Sequence, residues 1–171
     1  SAAENSFDLS SVREYTVELG RPDTVTREKL KVLRAHSVDR ISINTQTLND
    51  SVLEAVGRKH TAADFFAAYA LAKESGFENI NVDLIAGLPG DTLESFKKSV
   101  DGVAALAPAN ITVHALALKS ASTLKEHGHA VSEGETAGKM IDYSHRVLCD
   151  SGYIPYYMYR QSRCVGNLEN V

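Results

Sequence analysis

The sequence is short of cysteine, of long apolar runs and of positive charge, and each shortage excludes a class of protein. Its two cysteines, Cys149 and Cys164, do not form a CxxC pair, which is typical of a reducing compartment and supplies no zinc or iron–sulfur ligand set. No apolar run approaches the ~20 residues that span a bilayer. The net charge of −4 argues against a nucleic-acid or anionic-membrane partner. We therefore expect a cytoplasmic protein with neither of these partners.

The chain is long enough for one domain with a hydrophobic core, because 171 residues with 43% hydrophobic content lie in the ordinary globular range. Residues 1–5 contain neither a basic nor an apolar segment, so they do not form a signal peptide. Residues 1–3 resemble a remnant of tag cleavage. We expect a lead-in at 1–13, the main domain at 14–152, and the start of a further, truncated region at 153–171.

Short β-rich runs recur along the chain, and helical patterns lie between them. The runs are spaced at close to the ~31 residues per unit of a (β/α) barrel and occupy residues 15–18, 41–46, 80–85 and 111–116. A side-chain acceptor followed by a carboxylate predicts the start of a helix, and three such pairs occur: Thr61 with Asp64, Asp91 with Glu94, and Ser132 with Glu135. The alternation predicts an α/β fold with parallel strands in sequential order and helices on one face only.

The two faces of each predicted strand differ in polarity, because successive side chains point to opposite faces. One parity is apolar and should pack against the helices. The other parity is polar on all four strands and comprises Thr16, Glu18, Ser42, Asn44, Gln46, Asn81, Asp83, Thr112 and His114. A closed eight-stranded barrel fills its interior with bulky branched residues. The polar parity therefore predicts an open or incomplete barrel whose inner face meets water, a ligand or other polar groups.

Polar residues recur at the carboxyl ends of the predicted strands, where barrel enzymes bind their ligands. Any one of Glu18, Gln46 and Asp83 is explained as well by pairing with its neighbours or by exposure at a rim, but their recurrence favours a binding site. Arg58 is either a carboxylate clamp or an ordinary surface arginine. The GLPG loop at 87–90 lacks the GxGxxG and Walker spacings, which weighs against a barrel enzyme for phosphorylated metabolites.

Three stretches resemble the radical S-adenosylmethionine enzymes: TVE at 16–18, SINTQT at 42–47 and VDLIAGLPG at 82–90. Within those enzymes, the chain resembles the oxygen-independent coproporphyrinogen III oxidase group, also through YYMYRQ at 156–161 and GNLENV at 166–171. The resemblance implies a partial (β/α) barrel of the radical S-adenosylmethionine type. We expect about four parallel strand–helix units, a closing carboxyl-terminal segment, and no cluster-binding amino-terminal part.

The resemblance also implies the cofactors and the residues that hold one of them. S-adenosylmethionine is expected to contact Glu18, Gln46, Arg58, Asp83, Ile85 and Ala117, with Gln46 and Asp83 on the ribose side, Arg58 at the methionine carboxylate, and Ile85 and Ala117 near the adenine. A [4Fe–4S] cluster is expected to take its ligands from a CxxxCxxC loop that this sequence lacks. The chain is therefore expected to supply no metal ligand and no catalytic residue, and to be inactive alone.

The activity implied for the full-length protein is oxidative decarboxylation of coproporphyrinogen propionates to vinyl groups in haem biosynthesis. Its expected partners are a tetrapyrrole substrate and an electron donor for the cluster. A haem-binding chaperone of the same superfamily, without oxidase activity, is the alternative. Cys164 and Val165 stand where the group has Met-Ala, so the role of that loop is left open.

Overall fold

The computed structural model describes residues 6–7, 11–116, 134–157 and 160–162. Its single sheet has the strand order β1-β2-β3-β4-β6-β5. The strands are β1 (Thr16–Gly20), β2 (Arg40–Gln46), β3 (Asn79–Ala86), β4 (Asn110–Ala115), β5 (Ile154–Tyr157) and β6 (Arg160–Ser162). The helices are α1 (Arg27–Ala35), α2 (Asp50–Ala55), α3 (Ala62–Glu74), α4 (Leu93–Ala105) and α5 (Gly134–Asp150), with a short 3₁₀ turn at Pro22–Thr24.

The first four strands pair in parallel and in sequential order, as the sequence predicts for a partial barrel. At the far edge the direction reverses, because β6 lies antiparallel to β4 and β5 lies antiparallel to β6. This β5–β6 hairpin is the closing segment. Its outer strand, β5, is four residues long and contains Pro155. The sheet therefore ends in β1 on one side and in a short proline-containing strand on the other.

The helix starts agree with the predicted caps at one position and differ at another. Thr61 and Asp64 form a reciprocal capping box at the start of α3, as predicted. At α4 the cap is Thr92, whose side chain accepts from the Ser95 N–H. Asp91 instead accepts from the Thr92 N–H through Oδ1, so the prediction that Asp91 caps this helix is wrong by one residue. The predicted cap at Ser132 lies outside the described residues.

The hydrophobic core lies between one face of the sheet and the helices. Except for Ala115 at the end of β4, which is exposed, the apolar parity of β2, β3 and β4 is fully or almost fully buried there. Helices α1, α3, α4 and α5 all contribute apolar side chains to the same cluster, among them Leu30, Phe65, Phe96, Val100, Val103, Met140 and Leu148. The predicted packing of the apolar parity against helices is confirmed. None of the described helices combines the length and the apolar content needed to cross a membrane.

Candidate functional site

The polar parity of the sheet lines an open cavity of about 790 Å³. Because neighbouring strands are in parallel register, residues from different strands form rows across this face. One row joins Glu18, Ser42 and Asn81, and the next joins Asn44, Asp83 and Thr112. The wall of the cavity includes Thr16, Glu18, Arg40, Ser42, Asn81, Asp83 and His114, together with Ser11, Arg13 and Glu14. The predicted polar inner face therefore exists; Glu18 and His114 are exposed on it and Asp83 is half-buried, whereas Ser42, Asn81 and Thr112 are buried.

Asn81 is the centre of a hydrogen-bond network in the middle of the cavity wall. Its Nδ2 donates to Ser42 Oγ at 2.8 Å and to Asp83 Oδ1 at 2.7 Å. Its Oδ1 accepts from Thr112 Oγ1 at 3.0 Å. Ser42 Oγ lies 3.4 Å from the other Asp83 oxygen. The network fixes the carboxylate of Asp83 and shows that several polar residues of this face do pair with one another.

The amino ends of β1 and β2 carry a half-buried ion pair that the sequence analysis missed. Arg40 Nη1 donates to Glu14 Oε1 at 3.2 Å, and Thr16 Oγ1 donates to the same oxygen at 2.7 Å. Arg40 is 8% exposed, and its Nε atom is buried without a partner. Arg40 has the same parity as Ser42, so the alternation that predicts the polar face also predicts this residue once β2 is started one position earlier.

The carboxyl end of β2 contains a β-bulge that changes the predicted position of Gln46. Alternation places Gln46 in the cavity wall beside Asn44. In the structure the register shifts after Asn44, and Gln46 lies opposite Leu84 with a φ of 72°. Gln46 is 8% exposed and is not among the residues that line the cavity. The bulge inserts Thr45 into the strand and takes Gln46 out of the alternation, so the predicted contact of Gln46 with a ligand stays a prediction.

The other predicted site residues differ in how far the structure defines their positions. Glu18 and Asp83 line the cavity. Ile85 is half-buried and has the parity of Asp83, opposite His114 in β4. Arg58 is half-buried in the loop between α2 and α3. Ala117 lies outside the described residues.

Three of these residues have polar groups without a protein partner. In the part of the chain that the structure describes, the Glu18 carboxylate, the Gln46 amide and the Arg58 guanidinium make no hydrogen bond and no ion pair. Asp83 differs, because Asn81 and Ser42 hold it. The Asp83 carboxylate is therefore already oriented by protein hydrogen bonds, whereas the polar groups of Glu18, Gln46 and Arg58 remain available for hydrogen bonds to a ligand.

Two further properties of the described residues concern possible metal ligands and carboxyl groups with a shifted pKa. The described residues contain no group of three or more His, Cys, Asp or Glu side chains that could hold a metal ion. Asp91, in the loop after β3, is 6% exposed, and its Oδ2 is buried without a partner. Burial raises the pKa of this carboxyl, against the opposing effect of hydrogen bonds from Ser95 and Thr92.

Comparison with known families gives a match over more than half of the chain. The family model described as the Radical SAM superfamily matches residues 5–103. The oxygen-independent coproporphyrinogen-III oxidase-like protein HemZ of Bacillus subtilis is 44% identical over 166 residues, which cover 96% of this chain and 33% of HemZ. The heme chaperone HemW of the same organism is 41% identical over 111 residues, 65% of this chain and 28% of HemW.

Solved structures give the same picture of the fold. The coproporphyrinogen III oxidase HemN of Escherichia coli, described as a Radical SAM enzyme, superposes with a TM-score of 0.79 at 28% identity, over 88% of this chain and 35% of HemN. Elp3 of Methanocaldococcus infernus, at 20% identity, superposes with a TM-score of 0.68 over 77% of this chain and 32% of Elp3, and shows the fold alone. The chain thus spans about a third of the length of these relatives.

Proposed function

This chain belongs to the radical SAM superfamily, and from that premise we propose that its polar cavity and the adjoining strand ends bind S-adenosylmethionine. We further propose that the full-length protein is an oxygen-independent coproporphyrinogen III oxidase that decarboxylates propionate side chains of a tetrapyrrole to vinyl groups. When bound with a [4Fe–4S] cluster, S-adenosylmethionine supplies the one-electron chemistry that removes a hydrogen atom from an unreactive carbon. The residues of this chain bind and orient it.

The free polar groups at the edge of the sheet carry the proposal. S-adenosylmethionine presents hydrogen-bond donors in its ribose, ammonium and adenine amine, and one carboxylate acceptor. Glu18 and Asp83 supply carboxylate acceptors, and Arg58 supplies a fork that matches a carboxylate. Glu18 is exposed and Arg58 and Asp83 are half-buried, so these groups are accessible to a ligand. The chemical match between these groups and the ligand therefore supports a site at this edge.

The backbone at Gln46 gives separate support. A non-glycine residue with a φ of 72° costs roughly 1–2 kcal/mol relative to an ordinary strand conformation. Residues in such conformations cluster at ligand sites, where the surrounding structure holds them. Gln46 ends β2 directly after the bulge, and its side-chain amide has no partner among the described residues. We propose that it binds the ribose side of the ligand together with Asp83.

The residues of this chain do not fit the iron–sulfur cluster. A cluster of this kind takes at least three cysteine thiolates, and the sequence holds two cysteines without the required spacing. Any cluster ligands lie outside these 171 residues. The cavity itself fits an organic cation with several donors, so only the S-adenosylmethionine part of the site is assigned to this chain.

A haem chaperone is the second candidate, and one observation favours it. HemW proteins from several bacteria match this chain, at 41% identity for Bacillus subtilis and 32% over 160 residues for Lactococcus lactis. The oxidase-like HemZ match is preferred because it covers 96% of this chain, against 65% for the Bacillus subtilis HemW match. In both candidates the strand-end residues bind S-adenosylmethionine. The candidates differ in the tetrapyrrole that they bind and in whether they decarboxylate it.

Binding of S-adenosylmethionine by the full-length protein tests the first part of the proposal. Calorimetric titration of the cluster-reconstituted protein should show binding, and Arg58→Ala should weaken it by about 10–100-fold, because a charge-assisted hydrogen-bond pair is lost. Arg27→Ala is the matched control, since Arg27 is an exposed arginine paired with Glu74 on the outer surface. Equal affinities for wild type and the Arg58 variant would contradict the assigned role of Arg58.

Product analysis separates the two candidate functions. Anaerobic incubation with coproporphyrinogen, S-adenosylmethionine and a reductant should give successive losses of carbon dioxide by mass spectrometry. Titration of the same preparation with haem should show no stoichiometric binding. Tight haem binding without decarboxylation would replace the oxidase with the chaperone.

A further inference from the structure

His60 is a buried residue in the loop between α2 and α3, two positions after Arg58. It is 2% exposed, and its Nε2 lies 3.1 Å from the main-chain oxygen of Thr45. A carbonyl oxygen only accepts hydrogen bonds, so Nε2 carries the proton and donates. Nδ1 is buried without a partner. The ring is therefore held through one hydrogen bond, and that bond goes to the backbone of another element.

The acceptor of this bond is the residue that forms the bulge of β2. The carbonyl of Thr45 and the N–H of Gln46 belong to the same planar peptide group. A hydrogen bond to the carbonyl therefore fixes the orientation of the whole plane, which includes the backbone nitrogen and Cα of Gln46. Gln46 follows with its unusual φ of 72°. His60 thus acts on the backbone geometry that determines where the Gln46 amide lies.

The segment after the bulge is fixed from the opposite side. Thr47 Oγ1 and Ser99 Oγ are 3.1 Å apart, and the Leu48 N–H donates to Ser99 Oγ at 3.0 Å. Ser99 belongs to α4. His60 approaches from the α2–α3 loop, so the strained residue is held between two anchors on different elements. The loop that carries Arg58 therefore also sets the conformation at Gln46.

We infer that His60 is a positioning residue for ligand binding. It holds the Thr45–Gln46 peptide in the orientation that presents the Gln46 amide to S-adenosylmethionine, without touching the ligand itself. The inference rests on the proposed function, because it assigns to His60 an effect on the affinity of that ligand through Gln46. A residue that only stabilises the fold would affect the free energy of unfolding and leave this affinity unchanged.

Two substitutions in two backgrounds test the inference in the full-length, cluster-reconstituted protein. His60→Leu removes the donor and keeps an apolar side chain of similar bulk, whereas His60→Gln keeps an N–H donor at a similar reach. Each is made in wild type and in Gln46→Ala, and His145→Leu, an exposed histidine on α5, is the control. The dissociation constant for S-adenosylmethionine is measured by calorimetry, and the unfolding midpoint is measured in urea.

His60→Leu should weaken S-adenosylmethionine binding about tenfold in the wild-type background, and His60→Gln should restore most of the affinity. In the Gln46→Ala background, His60→Leu should change the affinity less than about twofold, because the group that it positions is gone. Equal weakening in both backgrounds, or a change in the unfolding midpoint without a change in affinity, would overturn the inference.

A measurement without ligand separates this inference from the proposed function. Hydrogen–deuterium exchange of a peptide covering residues 45–49 should be faster in His60→Leu than in wild type and in His145→Leu. If wild type fails to bind S-adenosylmethionine, the proposed function falls and the role of His60 in ligand binding falls with it; faster exchange then still supports the backbone role, and unchanged exchange overturns that as well. If wild type binds and His60→Leu binds equally well, only the inference falls.

Discussion

The two faces of the same sheet are built from alternate residues of the same strands, yet they do different work. On the outer face, Ile41, Ile43, Ile80, Val82 and Leu84 are all fully buried against helices. On the inner face, the residues between them are polar: Ser42 and Asn81 are buried and hydrogen-bonded, and Asp83 is half-buried beside them. Burial of apolar area supplies most folding free energy, so the outer face carries the stability. The inner face carries the polar groups that can contact a ligand, so substitutions there should alter ligand affinity with a smaller loss of unfolding free energy.

The largest effect is expected on the outer side, and α3 offers a matched pair to measure it. Phe65 is fully buried and its neighbour Phe66 is 40% exposed. Phe65→Ala should cost about 3–5 kcal/mol of unfolding free energy because it leaves a cavity, whereas Phe66→Ala should cost about 1 kcal/mol or less. Urea unfolding of both variants measures the difference. Similar losses would mean that the outer face is not the main source of stability.

The ion pair at the amino ends of β1 and β2 is the inner-face feature with the largest expected effect on stability. Arg40→Met leaves the half-buried Glu14 carboxylate without its cation, which should cost about 2 kcal/mol. Removing both charges, in Arg40→Met with Glu14→Gln, should recover most of that loss because no unpaired charge remains. Urea unfolding at neutral pH checks both variants. A double variant as unstable as the single one would show that packing of the Arg40 side chain, not the pair, is responsible.

The network around Asn81 should show a smaller loss of stability and a clearer loss of binding. Asn81→Ala removes three hydrogen bonds from a partly open wall, so we expect about 1–2 kcal/mol of destabilisation. It should also weaken S-adenosylmethionine binding, since Asp83 loses a donor that orients it. Thr112→Val, which removes one bond to Asn81, is the milder comparison. Calorimetry measures the affinity of both variants, and urea unfolding measures their stability. A loss of stability without a loss of affinity would contradict the assignment of ligand binding to the inner face.

The smallest effect is expected at Asp91, in the loop between β3 and α4. Burial raises the pKa of this carboxyl, so the folded state holds its proton more tightly than the unfolded state does. Stability from this group is therefore present at low pH and falls as pH rises through the raised pKa. Asp91→Asn should stabilise the protein by about 1 kcal/mol at neutral pH. The gain should shrink as the pH is lowered and Asp91 takes up its proton, and thermal unfolding from neutral to acidic pH measures it.

The sequence predicts both faces of the sheet because strand alternation is a local property. The four parallel strands begin and end within two residues of their predicted bounds, and up to the bulge after Asn44 the polar parity of β2 lies where alternation places it. Helix α1 was not predicted, although Thr26 accepts from the Lys29 N–H at its start. Its buried apolar content is small, with Leu30 as its one fully buried residue. The helix is amphipathic but polar overall, with few apolar residues, so its short apolar stripe was overlooked in the sequence.

The parts of the site that were missed depend on contacts between distant segments. The bulge at Thr45 is held by His60 and by the hydrogen bonds to Ser99, and none of these is visible in the local pattern of β2. The pair of Glu14 and Arg40 joins the segment before β1 to the first residue of β2 and becomes apparent only when the register is known. Glu18 and Asp83 were placed correctly because they need only strand parity and the direction of the chain.

The reversal of direction at the β5–β6 hairpin gives the sheet two unlike ends. A strand can extend a sheet only where a row of N–H and C=O groups is available, and Pro155 lacks an N–H in the four-residue strand at that edge. β1 has five residues and no proline. The sheet therefore has one edge, at β1, that can pair with a further strand and one edge, at β5, where pairing is hindered. Any strand that extends it, whether from the same polypeptide or from another, should add beside β1.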